Sequence, residues 1–168
     1  MRKIVRVGGL VLMLTSIGGQ ALAAASPSGC ARSDDVYALR AAAVQQRLMV
    51  AAFSCQAVDR YNKFVIAYRK DLQASDLALQ QFFRRLNGQT GTADYHSYKT
   101  RLANAASMQS IKDTSYCANA EATFTDALDT GNKSLRIFLA NKPADAEGAY
   151  RPCPPVYTAS AAKTPPRK

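Results

Sequence analysis

Between Tyr37 and Leu72 a seam of positions recurs every three or four residues: Tyr37, Ala41, Val44, Leu48, Ala51, Cys55, Val58, Asn62, Val65, Arg69 and Leu72. Most are apolar, and the spacing is that of one helix face, not the alternation of a strand. Ser33-Asp34-Asp35 supplies the start, a capping residue followed by first-turn acids. A second row, Tyr61, Phe64 and Tyr68, widens the apolar face in its later half. A helix from 34 to 86 would be very long for a domain of this size. A break near Gln73 is therefore expected, with Ser75-Asp76 capping a second helix whose apolar residues are Leu77, Leu79, Phe82, Phe83 and Leu86.

Asn87-Gly88-Gln89-Thr90-Gly91 reads as a turn. Thr92 or Asp94 then opens a third helix with Tyr95, Tyr98, Leu102, Ala105 and Ile111 on one side. Asp113 or Thr114 caps a fourth, whose apolar side is Cys117, Ala120, Phe124, Ala127 and Leu128, ending at Thr130-Gly131-Asn132. Ser134 to Ala140 forms a short fifth element. No strand-like alternation occurs, so the pattern predicts an all-α bundle of four to five helices over residues 34–141. From residue 142 to 168 the prolines preclude regular helix, and the basic end predicts a disordered Pro-rich tail.

The first 23 residues read differently. Arg2, Lys3 and Arg6 precede a short apolar run, Gly8 to Gly18, and Ala21-Leu22-Ala23 is a small-x-small cleavage site. This predicts an export signal cut after Ala23, followed by a flexible lead over 24–33. The run falls short of the roughly 20 apolar residues a membrane span needs. Ser28-Gly29-Cys30 resembles a lipoprotein cleavage site, but Pro27 stands where that motif wants Leu, and acylating Cys30 would leave an odd number of cysteines. Asn132-Lys133-Ser134 matches a glycosylation sequon, which a bacterial-looking signal discounts.

Export changes what the charge and the cysteines mean. The chain carries 22 Lys and Arg against 12 Asp and Glu. Removing Arg2, Lys3 and Arg6 leaves 19 − 12 = +7. Outside the cytosol such a charge favours an anionic envelope component or a protein partner over nucleic acid, and it permits peripheral membrane contact. The pattern carries no signal of oligomeric state. Cys30, Cys55, Cys117 and Cys153 all lie beyond the signal, where they can oxidise. Cys55 falls on the seam of the first helix and Cys117 on the apolar side of the fourth, whereas Cys30 and Cys153 flank the helical body. Helical phase therefore pairs Cys55 with Cys117, and Cys30 with Cys153.

Groups with catalytic or ligating character are few. Cys-x-x-Cys and Gly-x-Ser-x-Gly are both absent, and one histidine with scattered cysteines lacks zinc spacing. No catalytic residue, cofactor or metal is expected. His96 and Asp94, two apart on a helix, do not face each other. Glu121, near the Cys117 face, would need a cation such as Arg47 or Arg101 if buried. Asn62, polar on the seam, reads as a register-fixing residue.

The best binding candidate is the basic cluster Arg60, Lys63, Arg69 and Lys70 with Arg84 and Arg85, interleaved with Tyr61, Phe64 and Tyr68. On one face these cations could hold phosphate or sugar-acid groups. The function expected is an exported, non-catalytic binding protein, periplasmic or secreted. A holdase-type chaperone or inhibitor is the alternative, and a hydrolase built on His96 a weaker third.

Overall fold

The computed structural model describes residues 29–129, 131, 134–140, 142 and 150–154. The expected export signal, the lead up to residue 28, the Thr130 and Asn132 stop signals and most of the Pro-rich tail lie outside the described residues. The described chain is helical: α1 Ser33–Ser54, α2 Val58–Ala67, α3 Arg69–Asn87, α4 Gly91–Lys112, α5 Tyr116–Ala127 and α6 Leu135–Ala140. No described helix is long and apolar enough to cross a membrane.

Helix α1 is the axis, in contact with each of the other five. Its two sides feed two apolar clusters. Ala41, Val44, Leu48 and Ala51 pack against Phe64, Tyr68, Tyr116, Phe124, Leu135 and Phe138 from α2, α5, α6 and the α2–α3 junction. Ala38, Leu39 and Ala42 pack against Leu79, Phe82, Phe83, Tyr95, Tyr98 and Leu102 from α3 and α4. Small residues on α1 let aromatic side chains from its neighbours approach the helix closely.

The first break does not fall near Gln73. The chain turns at Cys55–Ala57, and α3 runs unbroken through Gln73. The corner is a Schellman closure: the Cys55 N–H donates to Ala51 O, and the Ala57 N–H reaches back to Ala52 O at 3.0 Å. Gln56 takes the left-handed conformation, φ 56°, that glycine usually fills there. A second, milder bend follows at Tyr68, where α2 hands over to α3. Ser75-Asp76 caps nothing, since Ser75 lies inside α3 and donates to Leu72 O.

Past the turn the seam is followed only in part, since Val65 and Leu72 still pack on the first cluster. Val58, Asn62 and Arg69 leave the seam for the outside, so Asn62 fixes no register. Leu77 and Ile111, expected on apolar faces, are also exposed. At the start of α1 the N-cap is Arg32, one residue before the expected Ser33, and the Asp35 carboxylate accepts the Arg32 N–H at 2.6 Å.

Between α3 and α4 the turn is tight. Gly88 sits at φ 56° and ψ −116°, a conformation that excludes side chains. At Gly91 a Cβ would lie 2.6 Å from both Arg84 Cα and Phe83 O. Asp94 accepts hydrogen bonds from Asn87 and Thr90, closing the turn.

Both predicted disulfides form, with Cα separations of 5.5 Å for Cys55–Cys117 and 4.8 Å for Cys30–Cys153. Cys117 itself is exposed rather than inward. The bridge pins the α1–α2 corner to the first turn of α5. The second bridge holds the described part of the Pro-rich segment, residues 150–154, on the N-terminal lead. The Ala31 N–H donates to Arg151 O, and the Cys153 N–H donates to Ala31 O. Tyr150 packs edge-on against Phe82, Phe83 and Tyr98.

Two stability predictions follow from this geometry. Replacing Cys55 and Cys117 together by serine lowers the unfolding free energy by roughly 4 kcal/mol on the loop-entropy scale. A urea midpoint equal to that of the parent would show that the corner holds without its bridge. Gly91→Ala costs about 2–3 kcal/mol, because the added methyl meets backbone that cannot swing aside. Its thermal midpoint should fall, whereas Gly29→Ala, with open space around it, should leave the midpoint unchanged.

Candidate functional site

The six basic residues of the candidate cluster divide into two groups. Arg60 is tied to α5, donating to Glu121 at 2.6 Å and to Thr125 at 3.2 Å. Glu121 thus finds Arg60, not Arg47 or Arg101, and lies half in solvent. Arg85 turns toward the start of α1 and pairs with the buried Asp35 at 2.5 Å, with its guanidinium over the Phe82 ring. Both are bundle ties.

Lys63, Arg69, Lys70 and Arg84 are exposed, and none has an ion-pair or hydrogen-bond partner among the described residues. At 3.6 residues per turn, Arg69, Lys70 and Arg84 fall within about 100° of arc on the outer side of α3. Gln73 and Leu77 share that side. Lys63 and Ile66 hold the outer side of α2.

Two clefts adjoin on this face, and Arg69 lines both. One, of about 450 Å³, opens at the α2–α3 bend between Ile66 and Asp71. The other, of about 430 Å³, follows α3 from Arg69 to Gln80, with Val65, Leu72 and Leu77 as apolar wall and Gln45, Gln73 and Lys99 as polar rim. Of the nearby carboxylates, Asp71 accepts the Leu135 N–H at 2.8 Å, and Asp76 is held in the network described next. Asp59 is exposed on α2.

That network lies at the far end of the second cleft. Asp76 accepts hydrogen bonds from Tyr95 Oη at 2.7 Å, Lys99 Nζ at 2.9 Å and Gln80 Nε2 at 3.0 Å. Burial pushes the Asp76 carboxyl up, but the bonds from Lys99, Tyr95 and Gln80 outweigh it and hold the group below its ordinary value. Burial pushes the Lys99 ammonium down, yet its bonds to Asp76 and Tyr95 outweigh this and raise it. Burial and the bond to Asp76 raise the Tyr95 phenol. All three shifts run away from neutrality, whereas acid–base work favours groups poised near the working pH. The arrangement clamps α3 to α4. Sequence reading missed it because the members lie on two helices. Its local traces are the four-residue spacings Asp76–Gln80 and Tyr95–Lys99.

His96 is exposed and stacks edge-on with Tyr95, in a small cleft with Gln80, Arg84 and Thr92. Asp94 is occupied by the α3–α4 turn and does not orient it. Among the described residues no group of three or more His, Cys, Asp or Glu is placed to hold a metal ion.

The clamp predicts a pH signature. Asp76 has a depressed folded-state pKa, so its contribution is present above the unfolded carboxylate value, near 4, and is lost as pH falls through the folded value. Lys99 and Tyr95 have raised values, so their contributions are full below their unfolded values, near 10, and vanish as pH rises through the folded ones. Asp76→Asn should cost about 1 kcal/mol at pH 7 and flatten the acid limb of a stability–pH curve. An unaltered acid limb would remove Asp76 from the account. No family model, curated protein or solved structure matches this chain.

Proposed function

We propose that this chain is an exported, non-catalytic binding protein, periplasmic or secreted, that holds an anionic envelope component on the outer face of α2 and α3. One observation carries the reading. Four cations, Lys63, Arg69, Lys70 and Arg84, stand exposed there without a carboxylate partner, while Arg60 and Arg85 are taken up by bundle ties. Four unpaired charges on one side of a small domain create a positive field that attracts anions and is screened by salt. Two disulfides fit an oxidising compartment.

A holdase or inhibitor reading draws on a different observation. Phe53 and Ile111 are each 76 % exposed and lie at the end of the bundle where Ser54 meets Ser110. That reading expects salt-insensitive capture of unfolded chains, lost on Phe53→Ser with Ile111→Ser.

The charge reading is tested by pull-down from envelope extract with the oxidised protein and with a variant carrying Lys63→Gln, Arg69→Gln, Lys70→Gln and Arg84→Gln. The parent should retain an anionic component at low salt and release it at high salt, and the variant should retain none. Equal retention by both proteins would move the site off this face.

A further inference from the structure

We propose that the anionic component is a phospholipid bilayer, with Lys63, Arg69, Lys70 and Arg84 on the headgroup phosphates and Ile66 and Leu77 entering the acyl boundary. The inference rests on the cationic-face reading and names its ligand. Its basis is the coincidence of two features that a soluble anion does not require together. Ile66 is 64 % exposed and Leu77 54 % exposed, both on the face that carries the unpartnered cations. Phosphate or a sugar acid in solution would be met by the cations alone and would leave both aliphatic side chains in water. A membrane surface uses both, because charge draws the protein to anionic headgroups and protruding aliphatic groups then bury in the boundary layer.

The local geometry places the two kinds of group side by side. Ile66 lines the bend cleft with Arg69 and Lys70. Leu77 lines the adjoining cleft, again with Arg69. Arg69 thus sits between the two aliphatic positions. The acids that could oppose a negative surface are mostly engaged, since Asp71 bonds Leu135 N and Asp76 bonds Lys99, Tyr95 and Gln80. Asp59, on α2, is the exposed exception.

Each cation near an anionic bilayer contributes roughly fivefold to partitioning, so the four together amount to several hundredfold. The two aliphatic side chains add about tenfold or more. The test is flotation of the oxidised protein with vesicles of pure phosphatidylcholine and with vesicles of equal phosphatidylglycerol and phosphatidylcholine. The protein should float with the mixed vesicles, not with the neutral ones, and should come off at high salt. Ile66→Ser with Leu77→Ser should weaken partitioning about tenfold while leaving the melting temperature in place, because both side chains already face water.

Absence of flotation, with charge-dependent capture of a non-lipid component intact, would overturn the bilayer as ligand and leave the cationic face standing. Flotation that the aliphatic variant does not weaken would overturn the insertion of Ile66 and Leu77. Identical behaviour of the parent and the four-glutamine variant in both assays would remove the face itself.

Discussion

The narrowness of α1 is the condition on which the rest of the bundle depends. Ala38, Ala41, Ala42, Ala51 and Ala52 are all buried along it, and five helices pack on it. An alanine face lets a neighbouring helix approach closely, and the volume between helices is then filled from the other side. Here the filling is aromatic: Phe64, Phe124 and Phe138 on one flank, Phe82, Phe83 and Tyr98 on the other. Each alanine contributes little transfer energy of its own. Their effect is to bring large side chains into contact, and it is the large side chains that remove most apolar area from water. A bulkier residue at Ala41 or Ala51 would press on the first flank, and one at Ala38 or Ala42 on the second.

The candidate face is what this arrangement leaves over. With α1 enclosed, polar groups at the helix margins either tie elements together or face water. Asp35 with Arg85 joins the start of α1 to the end of α3, Arg60 with Glu121 joins α2 to α5, and Asp76 with Lys99 joins α3 to α4. These pairs take up three of the 12 acids, and with them Arg85, Arg60 and Lys99 of the 22 bases. Lys63, Arg69, Lys70 and Arg84, on the outer side of α2 and α3, are among the cations that no such pair takes up.

Much of the architecture was legible because helical phase carries real geometric information. The Cys55–Cys117 bond forms as expected although Cys117 is not on the inward side, the α3–α4 turn follows from its glycines, and the aromatic residues at 64, 68, 82, 83, 95, 98 and 124 went inside as their spacing implied. The corner at 55–57 was not legible. It contains neither proline nor glycine, and its left-handed residue is a glutamine. The three–four spacing also continues across it by coincidence, so Val58, Asn62 and Arg69 looked like seam residues. The candidate site was half legible. All six cations could be named from the sequence, but separating bundle ties from outward charges required knowing which acids the fold brings near. The aliphatic neighbours are partly hidden, because the spacing places Leu77 on the apolar side of a helix starting at Ser75-Asp76, whereas α3 starts at Arg69 and Leu77 is exposed.

The short parallel bridge of Ala31 with Pro152, beside the Cys30–Cys153 bond, has a mechanical meaning. A pull applied between Gly29 and Pro154 travels through one covalent link and does not load the helices between them. Extension stops almost at once, because the 123-residue loop from Cys30 to Cys153 is shunted by the disulfide. Tension delivered by anything attached at the two ends would therefore reach neither the aromatic layers nor the α2–α3 face until that bond was reduced.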